Sequence, residues 1–81
     1  MSASTMIREY PHGLKIEFRA YQANWGPWIE HRELKPDGTP HNESWYPISD
    51  AAWVNLAHKA PEILRGLLPH LAGSSTLTPR G

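Results

Sequence analysis

The sequence predicts an α+β fold: a four-stranded antiparallel sheet followed by one C-terminal helix kinked at a proline. Three observations predict it. Leu14, Ile16, Phe18 and Ala20 alternate with Lys15, Glu17, Arg19 and Tyr21. Side chains point to opposite faces along an extended backbone, so this octet is a strand with one dry face and one wet face. Turn signals at Pro11-His12-Gly13 and Lys35-Pro36-Asp37-Gly38 punctuate further extended runs. After Ser49-Asp50, apolar residues recur at spacings of three and four, the mark of an amphipathic helix.

Taken in order, Thr5 to Tyr10 is a short first strand of weak apolar character. Pro11 fixes φ and Gly13 permits positive φ, so Pro11-His12-Gly13 turns it into the alternating octet as an antiparallel hairpin. The pattern breaks at Asn24 and at Gly26-Pro27, and Trp28 to Leu34 resumes as a third strand. Trp28, Glu30, Arg32 and Leu34 share one of its faces, and Ile29, His31 and Glu33 the other. Neither face is wholly apolar, which suits a sheet edge or a half-wet surface. Lys35 to Gly38 turns, Thr39 to Glu43 is a polar loop, and Ser44 to Ile48 is a short fourth strand that Pro47 confines to an edge or strand end.

Ser49 is the predicted N-cap of the helix, with Asp50 favourable in its first turn. Trp53, Leu56, Ala60, Ile63, Leu64 and Leu67 form its apolar side and are expected to serve as core and dimer interface. Pro61 should kink or restart the helix, and Gly66 and Pro69 should weaken and then end it. So broad an apolar segment needs more cover than one face of a four-stranded sheet offers, and a second copy would supply it. The domain is drawn at residues 1–71, with 1–4 disordered and 72–81 a disordered tail.

The 81 residues make one small domain, and a chain this short buries only about 60–65% of its unfolded surface. It has no cysteine for a disulfide, so self-association is the expected reinforcement, and four Trp give it material. No apolar run approaches a membrane span, and the N-terminus lacks a basic start with an apolar block, so a cytoplasmic protein of bacterial or phage type is expected. Eight Lys and Arg balance eight Asp and Glu. That neutrality runs against the basic footprint of a nucleic-acid binder, and any such site must come from a local arrangement of charge.

No enzyme, metal or cofactor signature stands out. None of the five His pairs at i,i+4 around a Glu or lies beside a Cys. No Ser sits in a glycine-framed elbow, and no glycine-rich phosphate loop is present. Glu17, Glu30 and Glu33 are best read as solubilising charges. The aromatic and basic residues form the more informative set: Tyr10, Lys15, Arg19, Tyr21, Trp25, Trp28, Arg32 and Lys35. Single-stranded nucleic acid is held by rings that stack on bases, at about 1–3 kcal/mol each, and by cations that track phosphates. Aromatic residues beside strand turns also make small cores and dimer contacts.

Several of these segments resemble the single-stranded-DNA-binding domain of the transcriptional coactivator called positive cofactor four, with its bacterial and phage relatives. Arg8-Glu9-Tyr10, Ile16-Glu17-Phe18-Arg19-Ala20-Tyr21 and Glu33-Leu34-Lys35-Pro36 are similar to its strand motifs, and Ile48 to Leu56 to its short strand and Trp-containing helix. The resemblance covers roughly residues 5–68. It implies a curved sheet, dimerisation through the helix, and single-stranded DNA crossing the sheets of two subunits, with Tyr10, Arg19 and Lys35 at matching positions. The chain departs from the family at Gln22, where the family has a stacking Trp, at Pro11 and Gly13 in place of lysines, and in a longer loop from Gly38 to Ser44.

The expected function is therefore a non-enzymatic, homodimeric binder of single-stranded DNA, with RNA as a variant ligand and a transcription or replication protein as a further partner. Tyr10, Trp25 and Trp28 would stack; Lys15, Arg19, Arg32 and Lys35 would hold phosphates. Affinity should then fall with salt at a log–log slope of about −0.7 per phosphate contact. The alternative is a protein-interaction module that keeps the fold without the nucleic acid. Neutral charge and Gln22 favour it.

Overall fold

A computed structural model describes residues 5–72. The chain runs β1 (Thr5–Glu9), a single 3-10 turn (Pro11–Gly13), β2 (Lys15–Ala23), β3 (Gly26–Leu34), β4 (Tyr46–Pro47), α1 (Asp50–Lys59) and α2 (Pro61–Ala72). The four strands form one antiparallel sheet in the order β1-β2-β3-β4. The fold is α+β, with the four antiparallel strands that the alternation and turn signals indicate. The expectations for residues 1–4 and for the tail lie outside the described residues, except that Ala72 closes α2.

Local chemistry accounts for each junction. The β1–β2 link is tight because His12 and Gly13 both take positive φ, 66° and 82°, and glycine accepts that region without steric cost. Tyr10 N–H closes the link on the Leu14 carbonyl at 2.7 Å. The β2–β3 hairpin is longer than the sequence suggests. Ala23 pairs with Gly26 across Asn24-Trp25, so both strands run two residues further toward the turn.

The expected single kinked helix is two helices. The residue before a proline is pushed out of the helical region, and Ala60 leaves it at φ −144°, ψ 58°. Pro61 then opens α2, where its missing N–H is no loss. Ser49 caps α1 as expected, its Oγ accepting from Ala52 N–H at 3.1 Å. Pro69 does not end α2, which continues to Ala72. Proline φ is compatible with a helix, so within the last turns it costs a hydrogen bond without forcing a stop.

The dry face carries the core. Phe18 and Ile29 meet Ile48, Leu56, Ala60, Ile63 and Leu67, with Ile29 and Leu67 fully enclosed. Leu56, Ala60, Ile63 and Leu67 are thus consumed inside the subunit, and Trp53 and Leu64 pack partly against the same cluster. Helix α2 lies on β1 and β2. The approach is close at Gly66: a Cβ there would sit far inside contact distance of Met6 Sδ on β1. Helix α2 therefore occupies the side of Met6, Ile16 and Phe18, α1 adds Leu56 and Ala60 to the same core while its Trp53 reaches Trp28 of β3, and the charged residues lie on the opposite face of the sheet.

Candidate functional site

The β2–β3 register determines what the polar face presents. Glu17 stands opposite Arg32, Arg19 opposite Glu30, and Tyr21 opposite Trp28. The charges form a two-by-two block in which each arginine meets a carboxylate. Arg32 Nε donates to Glu17 Oε1 at 2.8 Å and Arg19 Nε to Glu30 Oε2 at 2.5 Å. The carboxylates lie low, with side chains 13% and 12% exposed, whereas the Arg19 side chain is 41% exposed. Ion pairs with a solvent-reached arginine contribute on the order of 0.2–1 kcal/mol. Their larger effect is to orient the guanidiniums. Among the described residues no Nη of Arg19 or Arg32 is hydrogen-bonded within the chain or buried without a partner.

Trp45 covers this block. The Arg19 and Arg32 guanidinium carbons lie 4.2 and 4.3 Å from its ring centre, within the range of cation–π attraction. Trp45 as a residue is half-buried. It arrives through a strap between β3 and β4 that folds back on the polar side. Leu34, which shares the Arg32 side of β3, is buried there and bridges to Pro40, and His41 N–H donates to the Glu33 carbonyl at 3.0 Å.

The Lys35–Gly38 turn closes with Gly38 N–H donating to the Lys35 carbonyl at 2.8 Å. Thr39 N–H and Oγ1 both donate to Asp37 Oδ1, at 2.9 and 2.7 Å. The Thr39 backbone bond, then its hydroxyl, and then the Lys35 and Lys15 charges hold the Asp37 carboxyl below its ordinary value. Lys15 pairs with Leu34, the residue before Lys35, so the two lysines lie together at one end of the face. At the other end, burial first and the Glu30 charge second push the Tyr21 phenol above its ordinary value.

The structure brings Lys15, Arg19, Tyr21 and Arg32 together on the polar face, with Lys35 at its rim. Trp25 projects from the β2–β3 turn, 64% exposed, its ring edge-on to Trp28 at 5.8 Å. Trp28 itself is occupied. It stacks on Trp53 at 4.4 Å and 16°, and its Nε1–H donates to the Ile48 carbonyl at 2.9 Å. Tyr10 is not with the others: it follows Arg8, which pairs with Ile16 on the helix side, and its ring lies 4.7 Å from the Arg8 guanidinium. Nη1 of that arginine is buried without a hydrogen-bond partner. Trp45 is the residue that sequence reasoning passed over. The sequence puts it inside a fourth strand from Ser44 to Ile48, whereas β4 is only Tyr46–Pro47 and Trp45 precedes it, and the two arginines it covers are far away in the chain.

Among the described residues no three His, Asp or Glu side chains come together as metal ligands, and no helix is long and apolar enough to cross a membrane. Comparison with protein-family models, with curated proteins and with solved structures finds no match. Fold and site define a small α+β module whose sheet carries the apolar core on one side and, on the other, an aromatic and charged surface partly covered by the Trp45 strap.

Proposed function

We propose that this chain is a non-enzymatic module that binds single-stranded nucleic acid across the polar face of its sheet, as a cytoplasmic homodimer of the positive cofactor four type. The observation that carries the reading is the helix-free face, on which Lys15, Arg19, Tyr21 and Arg32 share one surface with Trp45 laid over its arginines. Rings and cations on an open sheet suit unpaired bases and their phosphates without sequence readout. Tyr10 and Trp28 leave the expected set, because one lies toward the helix side and the other is packed on Trp53.

Dimerisation rests on what the core leaves over. Helix α2 carries a shallow apolar patch lined by Leu64, Arg65, Leu68 and Pro69, where Leu64 and Leu68 are only partly buried by the core. A second copy docking there would cover Leu64 and Leu68. Size exclusion with light scattering tests this: a dimer that Leu64→Glu with Leu68→Glu converts to a folded monomer supports it, and a wild-type monomer at tens of micromolar rules it out.

Titration of labelled oligothymidylate, followed by fluorescence anisotropy at low salt, tests binding. Saturable binding that Arg19→Ala weakens is expected. A second reading, a protein-interaction module, is favoured by one observation: both arginines of the face are already matched by carboxylates. Absence of oligonucleotide binding by the folded protein would select it.

A further inference from the structure

We infer that Trp45, with the Arg19 and Arg32 guanidiniums, is a preformed stacking platform for an unpaired nucleobase, and that this site recognises bases more than backbone charge. The inference rests on the nucleic-acid reading above and names the part of the ligand that is recognised.

Three observations carry it. First, the ring is held from two sides of the chain: one guanidinium comes from β2 and the other from β3, both within 4.3 Å of its centre. Each guanidinium is in turn held through Nε by a nearly covered carboxylate. A flat group fixed in this way loses little freedom when a base stacks on it, which is what preorganisation contributes to affinity. Trp45 as a residue is only partly buried.

Second, the block beneath the ring is neutral. Two arginines face two glutamates, so their phosphate attraction is largely cancelled, and long-range steering from this patch is weak. Third, the other cations at this face, Lys15 and Lys35, make no ion pair among the described residues and lie together at one end, Lys15 pairing with Leu34 beside Lys35. Two phosphate contacts in place of four give an expected log–log salt slope of about −1.4. A site of this kind attracts a strand weakly through charge and holds it through rings.

The test compares wild type, Trp45→Phe and Trp45→Leu by anisotropy, using labelled oligothymidylate and an abasic strand of the same length. Trp45→Phe keeps a ring, whereas Trp45→Leu keeps apolar bulk without one, and circular-dichroism melts confirm that each is folded. The expected result is a loss of about 5- to 150-fold for Trp45→Leu, corresponding to one stacked base, with most affinity kept by Trp45→Phe. Wild type should bind the abasic strand correspondingly weakly. Equal binding by Trp45→Leu, or equal binding of the abasic strand, overturns the inference while leaving nucleic-acid binding intact. Tighter binding by Trp45→Leu also overturns it, and makes the strap a lid over the arginines. A wild type that binds neither strand removes the nucleic-acid reading together with this one.

Discussion

At the residue scale, most of the polar face follows from strand parity. Lys15, Glu17, Arg19 and Tyr21 lie where their alternation with Leu14, Ile16, Phe18 and Ala20 puts them. Parity also separates Tyr10 from them, since it shares the side of Arg8 and Ile16. Arg19→Ala should therefore weaken oligonucleotide binding several-fold, while Tyr10→Ala leaves it within about twofold; the same anisotropy titration checks both. The two shifted groups make pH predictions of opposite sign. The Asp37 carboxyl is lowered in the fold, so its contribution is present above the ordinary carboxylate range and is lost as pH falls through the lowered value. Asp37→Asn should then differ from wild type in melting temperature at neutral pH and converge with it in acid. The Tyr21 phenol is raised, so the neutral ring is favoured, and stability declines as pH climbs from the ordinary phenol value toward the raised one. Tyr21→Phe should flatten that alkaline decline in a series of melts.

At the element scale, two packing contacts decide how the helices sit. Gly66→Ala gains about 1 kcal/mol of helix propensity, yet its Cβ would collide with Met6 Sδ. The atoms it meets are the flexible end of a partly buried methionine, which can swing aside, so a modest rise in melting temperature is expected, and a fall would show that Met6 is locked between β1 and α2. Trp28 joins β3 to α1 through the Trp53 stack and the Ile48 carbonyl. Trp28→Ala should cost about 3 kcal/mol in a denaturant titration. These roles were not legible in the sequence. Ending the second strand at Tyr21 left the hairpin register open, and with it the pairing of Glu17 with Arg32 and Arg19 with Glu30. Once Asn24-Trp25 is the two-residue turn, all nine β2–β3 partners follow. Pro61 was readable as a break; that the second half remains helical through Pro69 was not, because propensity rules stop a helix there and the packed side of Ile63 and Leu67 keeps it going.

At the scale of the whole molecule, the chain separates two surfaces by one sheet. Apolar side chains of β1, β2 and β3 gather α2 and the core residues of α1 on one side, and charged and aromatic side chains remain on the other. That division was legible from a single octet. The strap that carries Trp45 onto the polar face was not, because its seat on Arg19 and Arg32 is made by tertiary contact with no local pattern to announce it. The broad apolar character of residues 53–68 suggested a partner chain; much of it is instead spent on the subunit's own core, and the partly exposed Leu64 and Leu68 are what the proposed dimer would use. The measurement that tests the account most directly is the anisotropy titration of folded wild-type protein with labelled oligothymidylate as salt is raised. Saturable binding that weakens along a log–log slope of about −1.4 is expected. Failure to bind at low salt, or affinity indifferent to salt, would contradict it.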